Sequence, residues 1–203
     1  MKKLLTVLFI LLPACALLAQ ENYFYLNLDV NTPLANTDWV SKTSGRGGKA
    51  GYRFMIGESR FSAGVDFAWA YFEEYAPTET FQNGNGAITT DYFKKLNQYS
   101  FAASGQYNWE LGGQGLFFPY AGIGLGALHN QYIMAYNIYE DSDKGWGFLA
   151  RPEAGILARF GKRRSMGAMA AVHFDYATNK SDDYNYSSYS AVGFQIGIFL
   201  MNR

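Results

Sequence analysis

Runs of two-residue alternation, each long enough to cross a lipid bilayer, constrain this chain more than any other feature. In 61–71, Phe61, Ala63, Val65, Phe67, Trp69 and Tyr71 share one face, and Ser62, Gly64, Asp66, Ala68 and Ala70 share the other. In 99–111, Tyr99, Phe101, Ala103, Tyr107, Trp109 and Leu111 oppose Ser100, Ala102, Ser104, Gln106 and Asn108. In 190–200, Val192, Phe194, Ile196, Ile198 and Leu200 oppose Gly193, Gln195 and Gly197. A period of two is the signature of a strand with two different faces. No segment after residue 20 carries a helical period.

The alternation predicts eight strands, at 22–30, 49–57, 61–72, 97–111, 116–128, 146–160, 166–177 and 187–201. A tilted strand needs about 9–11 residues to span a membrane, whereas strands of soluble sheets cluster near 5–6. The connections alternate in length. Those at 31–48, 73–96, 129–145 and 178–186 are long and polar, and those at 58–60, 112–115 and 161–165 are tight. Long loops at one end and short turns at the other are the habit of outer-membrane barrels. The expected fold is therefore all-β, an eight-stranded antiparallel up-and-down transmembrane β-barrel.

The strand directions predict where aromatic residues collect. Trp69, Tyr71, Tyr99, Phe101, Phe148, Phe174 and Tyr176 fall at the outer rim; Phe54, Phe61, Tyr107, Trp109, Phe117 and Phe160 fall at the periplasmic rim. Small and aliphatic residues such as Val65, Ala103, Ile123, Ala154 and Val172 lie between them. Two aromatic girdles around an apolar belt suit the interfacial preference of Tyr and Trp. A soluble barrel of the lipocalin kind reverses the pattern and turns its apolar residues inward.

Composition agrees. Aromatic residues make up 18% and charged residues only 17%, and formal charges cancel, which gives no net field toward nucleic acid. Lys2 and Lys3 precede an apolar stretch from Leu4 to Leu18, and Ala19 offers a small residue for cleavage. Residues 1–19 are expected to be a cleaved signal peptide, with 20–203 forming one barrel domain exported to the bacterial outer membrane. The single cysteine, Cys15, lies in that leader; Leu12-Pro13-Ala14-Cys15 only loosely matches a lipoprotein box. The exported chain then has no thiol for a disulfide, a nucleophile or a metal.

Phe118-Pro119-Tyr120-Ala121-Gly122-Ile123-Gly124-Leu125-Gly126 and Arg151-Pro152-Glu153-Ala154-Gly155-Ile156 resemble the central strands of the small OmpA-like, porin-like outer-membrane β-barrel family. Gly193-Phe194-Gln195-Ile196-Gly197-Ile198-Phe199-Leu200 resembles the closing strand read by the barrel-assembly machinery, although Met201-Asn202-Arg203 continue past it. The resemblance implies a fold, a compartment and that machinery as a biogenesis partner. It implies no catalytic residue, and fold alone does not assign function.

Gly122, Gly124 and Ala127 match a dinucleotide pattern, but that chemistry needs a helix opening at the glycines, where a strand is expected. Glu140, Asp141, Asp143, Asp182 and Asp183 carry oxygens suited to Ca²⁺, although such runs are commonly solvated loop tips. Tyr184, Tyr186 and Tyr189 are expected as exposed loop aromatics or girdle anchors. His173 points inward with no serine beside it in Phe174-Asp175-Tyr176, and His129 lies at a loop edge without an obvious partner, which argues against a lipid A-modifying enzyme or protease. No cofactor, metal or catalytic residue is assigned.

Arg53, Asp66, Gln106, Arg151, Glu153, Arg159, His173 and Asp175 all fall on lumen faces. Folding the sixth and seventh strands about Arg163 sets Arg151 opposite Asp175 and Glu153 opposite His173, with Arg53 diagonal to Asp66. An eight-stranded interior is just wide enough for side chains to fill it, and charges there must pair. The expectation is a plugged, non-enzymatic barrel surrounded by outer-membrane lipids and lipopolysaccharide. Its long loops would meet an extracellular or surface-complex partner. The alternative is a small diffusion channel, or a proton-sensitive gate at His173.

Overall fold

The computed structural model describes residues 21–57, 59–83, 86–111, 116–136, 139–160, 165–181 and 183–202. The proposed leader and the turn at Arg163 lie outside them. Eight strands close into one antiparallel barrel: β1 (Asn22–Pro33), β2 (Ser44–Met55), β3 (Phe61–Asn83), β4 (Gly86–Asn108), β5 (Phe117–Tyr136), β6 (Tyr139–Phe160), β7 (Met166–Ala177) and β8 (Tyr189–Asn202). Each pairs with its sequence neighbours, and β1 closes on β8 along its whole length, from Asn22↔Asn202 to Pro33↔Ala191. Closure leaves no open edge in the wall, the condition a sheet must meet in lipid. Among the described residues no helix is long and apolar enough to cross a membrane.

The four central strands are longer than the sequence pattern predicts. β3 and β4 have 23 residues each, and β5 and β6 have 20 and 22, against 12 to 14 for the other four. In the segments 73–96 and 129–145, expected as loops, the described residues form the upper halves of two β-hairpins. Their polar composition marks solvation of the outward face rather than loss of pairing, while Ala76, Tyr92, Leu96, Tyr132 and Met134 on the inward face are buried at the mouth. Cross-strand contacts line the first of them: Tyr75 packs against Phe93 with ring centres 5.3 Å apart, and Thr80 bonds Thr89 at 2.9 Å, while Glu73 and Glu74 are register partners of Lys95 and Lys94. The hairpins also pair with each other up to Phe93↔Ala135. Together they form a four-stranded flange standing above one side of the barrel, at the end opposite the termini. That end is termed the upper rim.

The flange has two edges, and both are blunted. β2 accompanies β3 only to Ala70, beyond which Pro77 and a register shift between Ala76 and Glu79 interrupt the edge. On β6, Asn179 donates to the Gly145 carbonyl at 2.9 Å, and Ser181 to Asp143 at 2.5 Å.

Inside, the barrel is layered. Tyr23, Tyr25, Tyr120, Leu157, Met169 and Phe199 fill the lower third. Polar and charged side chains fill the middle. At the upper rim Trp39 and Val40, from the segment between β1 and β2, drop into the mouth onto Phe72, Leu96, Leu128 and Tyr132. Asn36, at φ 60, turns that segment inward and donates to Tyr132 and to the Ser188 carbonyl. The Trp39 indole donates to the Lys95 carbonyl at 3.0 Å and lies 4.3 Å from the Tyr184 ring. Trp39→Ala should therefore cost about 3–5 kcal/mol, the usual loss for a buried tryptophan. Urea unfolding in detergent, followed by gel mobility, measures it, and limited proteolysis should show faster cutting at 178–188.

Candidate functional site

Alternation places the chemistry. Every second residue of each strand points into the barrel, so the lumen receives whatever polar side chains occupy that phase. Arg53, Asp66, Gln106, Arg151, Glu153, His173 and Asp175 are all buried there. Arg159 is half-buried lower down, its guanidinium 4.1 Å from the centre of the Phe118 ring. The girdle residues lie on the opposite phase. Phe61, Trp69, Tyr99, Trp109, Phe148, Phe174 and Tyr176 are exposed on the outer wall, with Phe54, Tyr71 and Tyr107 half-buried among their neighbours.

The lumen charges form linked groups. Arg151 meets Asp175 through Nε at 2.5 Å and Nη2 at 2.6 Å, and its Nη2 also reaches Ser100 at 3.3 Å. This is the two-pronged geometry that makes Arg–carboxylate pairs strong. Arg53 likewise grips Asp66, at 2.5 Å and 2.9 Å, and Asp66 also accepts from Tyr25 and Ser104. The diagonal Arg53–Asp66 contact depends on Gly64, since a Cβ there would strike the Arg53 side chain and the Tyr52 carbonyl.

Glu153 does not bond His173, although the two are register partners. Its carboxylate is taken by Lys49 and by the Tyr120 hydroxyl at 2.7 Å. The reason is charge: a lysine reaching across the barrel outcompetes an adjacent imidazole. His173 instead bonds Asn31 at 3.2 Å and lies 3.8 Å from both Asp29 and Asp175. Lys49 stands on β2 and Glu153 on β6, four strands apart in a ring of eight, so their ion pair joins opposite walls.

Lys49, Tyr23, Tyr25, Asp29 and Tyr120 belong to the interior and were not singled out from sequence. A signal existed: Lys49 shares its phase with Arg53, and Tyr23, Tyr25 and Asp29 alternate with Phe24, Leu26 and Leu28. An aromatic-rich composition, taken to serve the outer wall, hid the tyrosines. Tyr189, expected as exposed, is buried in the upper mouth, and Tyr184 and Tyr186 pack on the same cluster. Burial raises the Tyr184 hydroxyl pKa, and Asp141, Asp183 and Asp143 add to it.

Space in the polar layer is slight. One cavity, lined by Asp29, Asn31, Gln98, Ser100, Arg151 and Asp175, measures about 10 Å³. Another, lined by Lys49, Arg53, Asp66, Gln106, Arg151 and Glu153, is also about 10 Å³. Each is the size of roughly one water. Gly122 and Gly124 sit mid-strand with no helix after them, the wrong context for a dinucleotide. His129 lies edge-on to Trp146 at 4.9 Å, on the outer wall. No group of three or more His, Cys, Asp or Glu suited to a metal occurs among the described residues, and Asp182 lies outside them.

A closed barrel with exposed aromatics outside and paired charges inside is an arrangement made for lipid, and a family model for the outer membrane protein beta-barrel domain matches residues 4–200. The chain belongs to the outer membrane protein beta-barrel family. Its place is the bacterial outer membrane. No curated protein matches it by sequence. Among solved structures it is similar to Neisserial surface protein A (NspA), at 11% identity and a TM-score of 0.60, covering 88% of this chain and 96% of that one. It is also similar to Ail, the attachment invasion locus protein of Yersinia pestis, at 13% identity and a TM-score of 0.50, covering 90% of this chain and 99% of that one. At such identities the likeness is one of fold.

As a member of this family the barrel can be tested by its interior. Lys49→Met strands the Glu153 carboxylate and should destabilise the barrel by about 3–5 kcal/mol, whereas Lys49→Met with Glu153→Leu should recover at least half of that loss. Urea unfolding of the single and double variants in detergent supplies the cycle; a double variant no more stable than Lys49→Met would show that the ion pair does not hold the walls together.

Proposed function

We propose that this protein is a non-enzymatic surface scaffold whose filled barrel anchors the β3–β6 flange outside the cell for contact with an extracellular or surface-complex partner. The observation that carries this reading is the contrast between the two parts. The lumen is bridged by Lys49–Glu153 and capped by Trp39, while β3 to β6 extend well past the rim as paired sheet. Long connections of outer-membrane barrels face outward and short turns face the periplasm, which places the upper rim outside. The two levels of exposed aromatics support that placement in the bilayer. The name of the similar Ail protein, an attachment locus product, is in keeping with a surface-contact role.

The reading shifts specificity from flexible loops to a rigid sheet. The β1–β2 and β7–β8 connections are committed to closing the mouth, which leaves the flange as the free surface. Replacing 78–90 and 135–140 with tight turns, which spares the buried Trp39 cluster at the mouth, should leave a folded barrel with unchanged heat-modifiable mobility and remove the surface-contact phenotype of the cell. A barrel without the flange that still supports attachment or envelope integrity at wild-type level would reject the scaffold reading.

The alternative is a small diffusion channel. Lumen cavities near 10 Å³ and a cross-barrel ion pair weigh against it. Purified protein in planar bilayers should be electrically silent at all voltages, and discrete conductance steps would restore the channel reading.

A further inference from the structure

Pro152 stands in the middle of β6, in a wall that has no edge strand. Sheets confine proline to edges and bulges because it brings no N–H to the ladder. Facing positions of an antiparallel pair exchange backbone bonds at every second residue. On β6 and β7 that phase includes Phe148, whose carbonyl accepts from the Thr178 N–H at 3.0 Å. Four residues on, the same phase falls on Pro152 and Phe174, and the ladder breaks there, between Ala150↔Tyr176 and Glu153↔His173. The Phe174 carbonyl is thereby left without its ladder donor. Phe174 is one outward position below Tyr176 of the upper girdle, on the side of the wall that meets hydrocarbon, where no water replaces a lost bond.

A dish of about 420 Å³ opens on the outer wall at this gap, lined by Ala121, Pro152, Ala154, Val172, Phe174 and Val192. These residues form two rungs across the strands. Ala121, Ala154 and Val172 are successive register partners in one; Pro152, Phe174 and Val192 follow one another in the other. The first rung ends at Phe194 and the second at Ile123, both large and exposed, so the small side chains lie in a hollow between them. Two rungs measure about 7 Å along the strands, and the span from β5 to β8 is about 14 Å. The dish is thus wider across the strands than it is long. An extended acyl chain overruns such a shape, whereas a compact ring system lying across the strands fills it. Apart from the Phe174 carbonyl at the gap, the outward side chains of the lining are apolar.

We propose that this dish binds a compact ring-bearing alcohol or phenol dissolved in the bilayer, its ring on Ala121, Ala154 and Val172 and its O–H donated to the Phe174 carbonyl. A single acceptor in a dry apolar lining sets the selectivity. An isostere without a donor fills the same space and leaves the carbonyl unpaired, the kind of mismatch that discriminates more sharply than shape does. The site uses the outward phase of the wall, so it is separate from the filled lumen and from the flange.

The test is NMR of the full barrel in lipid nanodiscs, where the Phe174 carbonyl carbon is read through the amide of Asp175. The probes are 2-naphthol, 2-methoxynaphthalene, which keeps the rings and loses the donor, and 1-dodecanol, which keeps the donor on a chain. Saturable movement of the Phe174 carbonyl signal should accompany 2-naphthol, which should bind at least about five-fold more tightly than 2-methoxynaphthalene. 1-Dodecanol should bind more weakly than 2-naphthol. Pro152→Ala returns an N–H to the ladder; it should move the same signal with no probe present and erase the preference for 2-naphthol. Ala154→Phe fills the dish and should block both naphthalenes. Heat-modifiable gel mobility reads the folding of each variant separately. Equal binding of the two naphthalenes to the wild type would overturn the proposal. So would an undiminished preference in folded Pro152→Ala, or an unchanged 2-naphthol titration in folded Ala154→Phe. 1-Dodecanol moving the signal at the same concentration as 2-naphthol would overturn the assignment to a compact ring.

Discussion

The constraint from which the rest of this structure follows is that no backbone N–H or C=O can face hydrocarbon unpaired. Strands meet it only by closing on themselves, and here β1 pairs with β8 over its full length to do so. Closure with eight strands sets a narrow interior, and the narrowness makes interior charge a structural matter. Four buried carboxylates, Asp29, Asp66, Glu153 and Asp175, face three buried cations, Lys49, Arg53 and Arg151, with His173 beside two of the carboxylates. Each cation finds a carboxylate because a stranded partner would be costly in so dry a space.

The same closure explains how the ends differ. Within the bilayer the wall has no free edge, but the flange rises out of it as an open sheet and must deal with two. Pro77 and the register shift near it interrupt one edge, and the Asn179 and Ser181 contacts cover part of the other. The segments that could have been mobile loops are thereby used twice, as plugs in the mouth and as guards on the flange.

Pro152 shows how local chemistry is absorbed. The β6–β7 register runs from Ala150↔Tyr176 to Glu153↔His173 with the ladder interrupted between them, where proline supplies no N–H. At the gap, the inward neighbour Arg151 clasps Asp175 on the facing strand, so a side-chain pair joins the strands where the backbone pair is missing.

Alternation alone was enough to read the all-β fold, the strand count and the phase of the strands, because a period of two survives any change of register partner; it left Lys49, Tyr23, Tyr25, Asp29 and Tyr120 of the interior unread. The Arg151–Asp175 and Arg53–Asp66 contacts were legible for the same reason: both are local to a single hairpin. What sequence could not carry was anything that spans the barrel. Lys49 meets Glu153 across 104 positions, and Trp39 meets Tyr184 over the mouth, because closure brings distant strands within reach. The length of the flange was hidden too: above the membrane the outward face and the upper part of each hairpin are wet, and a paired strand there has much of the composition of a loop. The in-and-out phase is a property of single strands, written into the sequence. The choice of partner across the lumen and the height of the sheet above it are properties of the closed barrel, decided only by its tertiary structure.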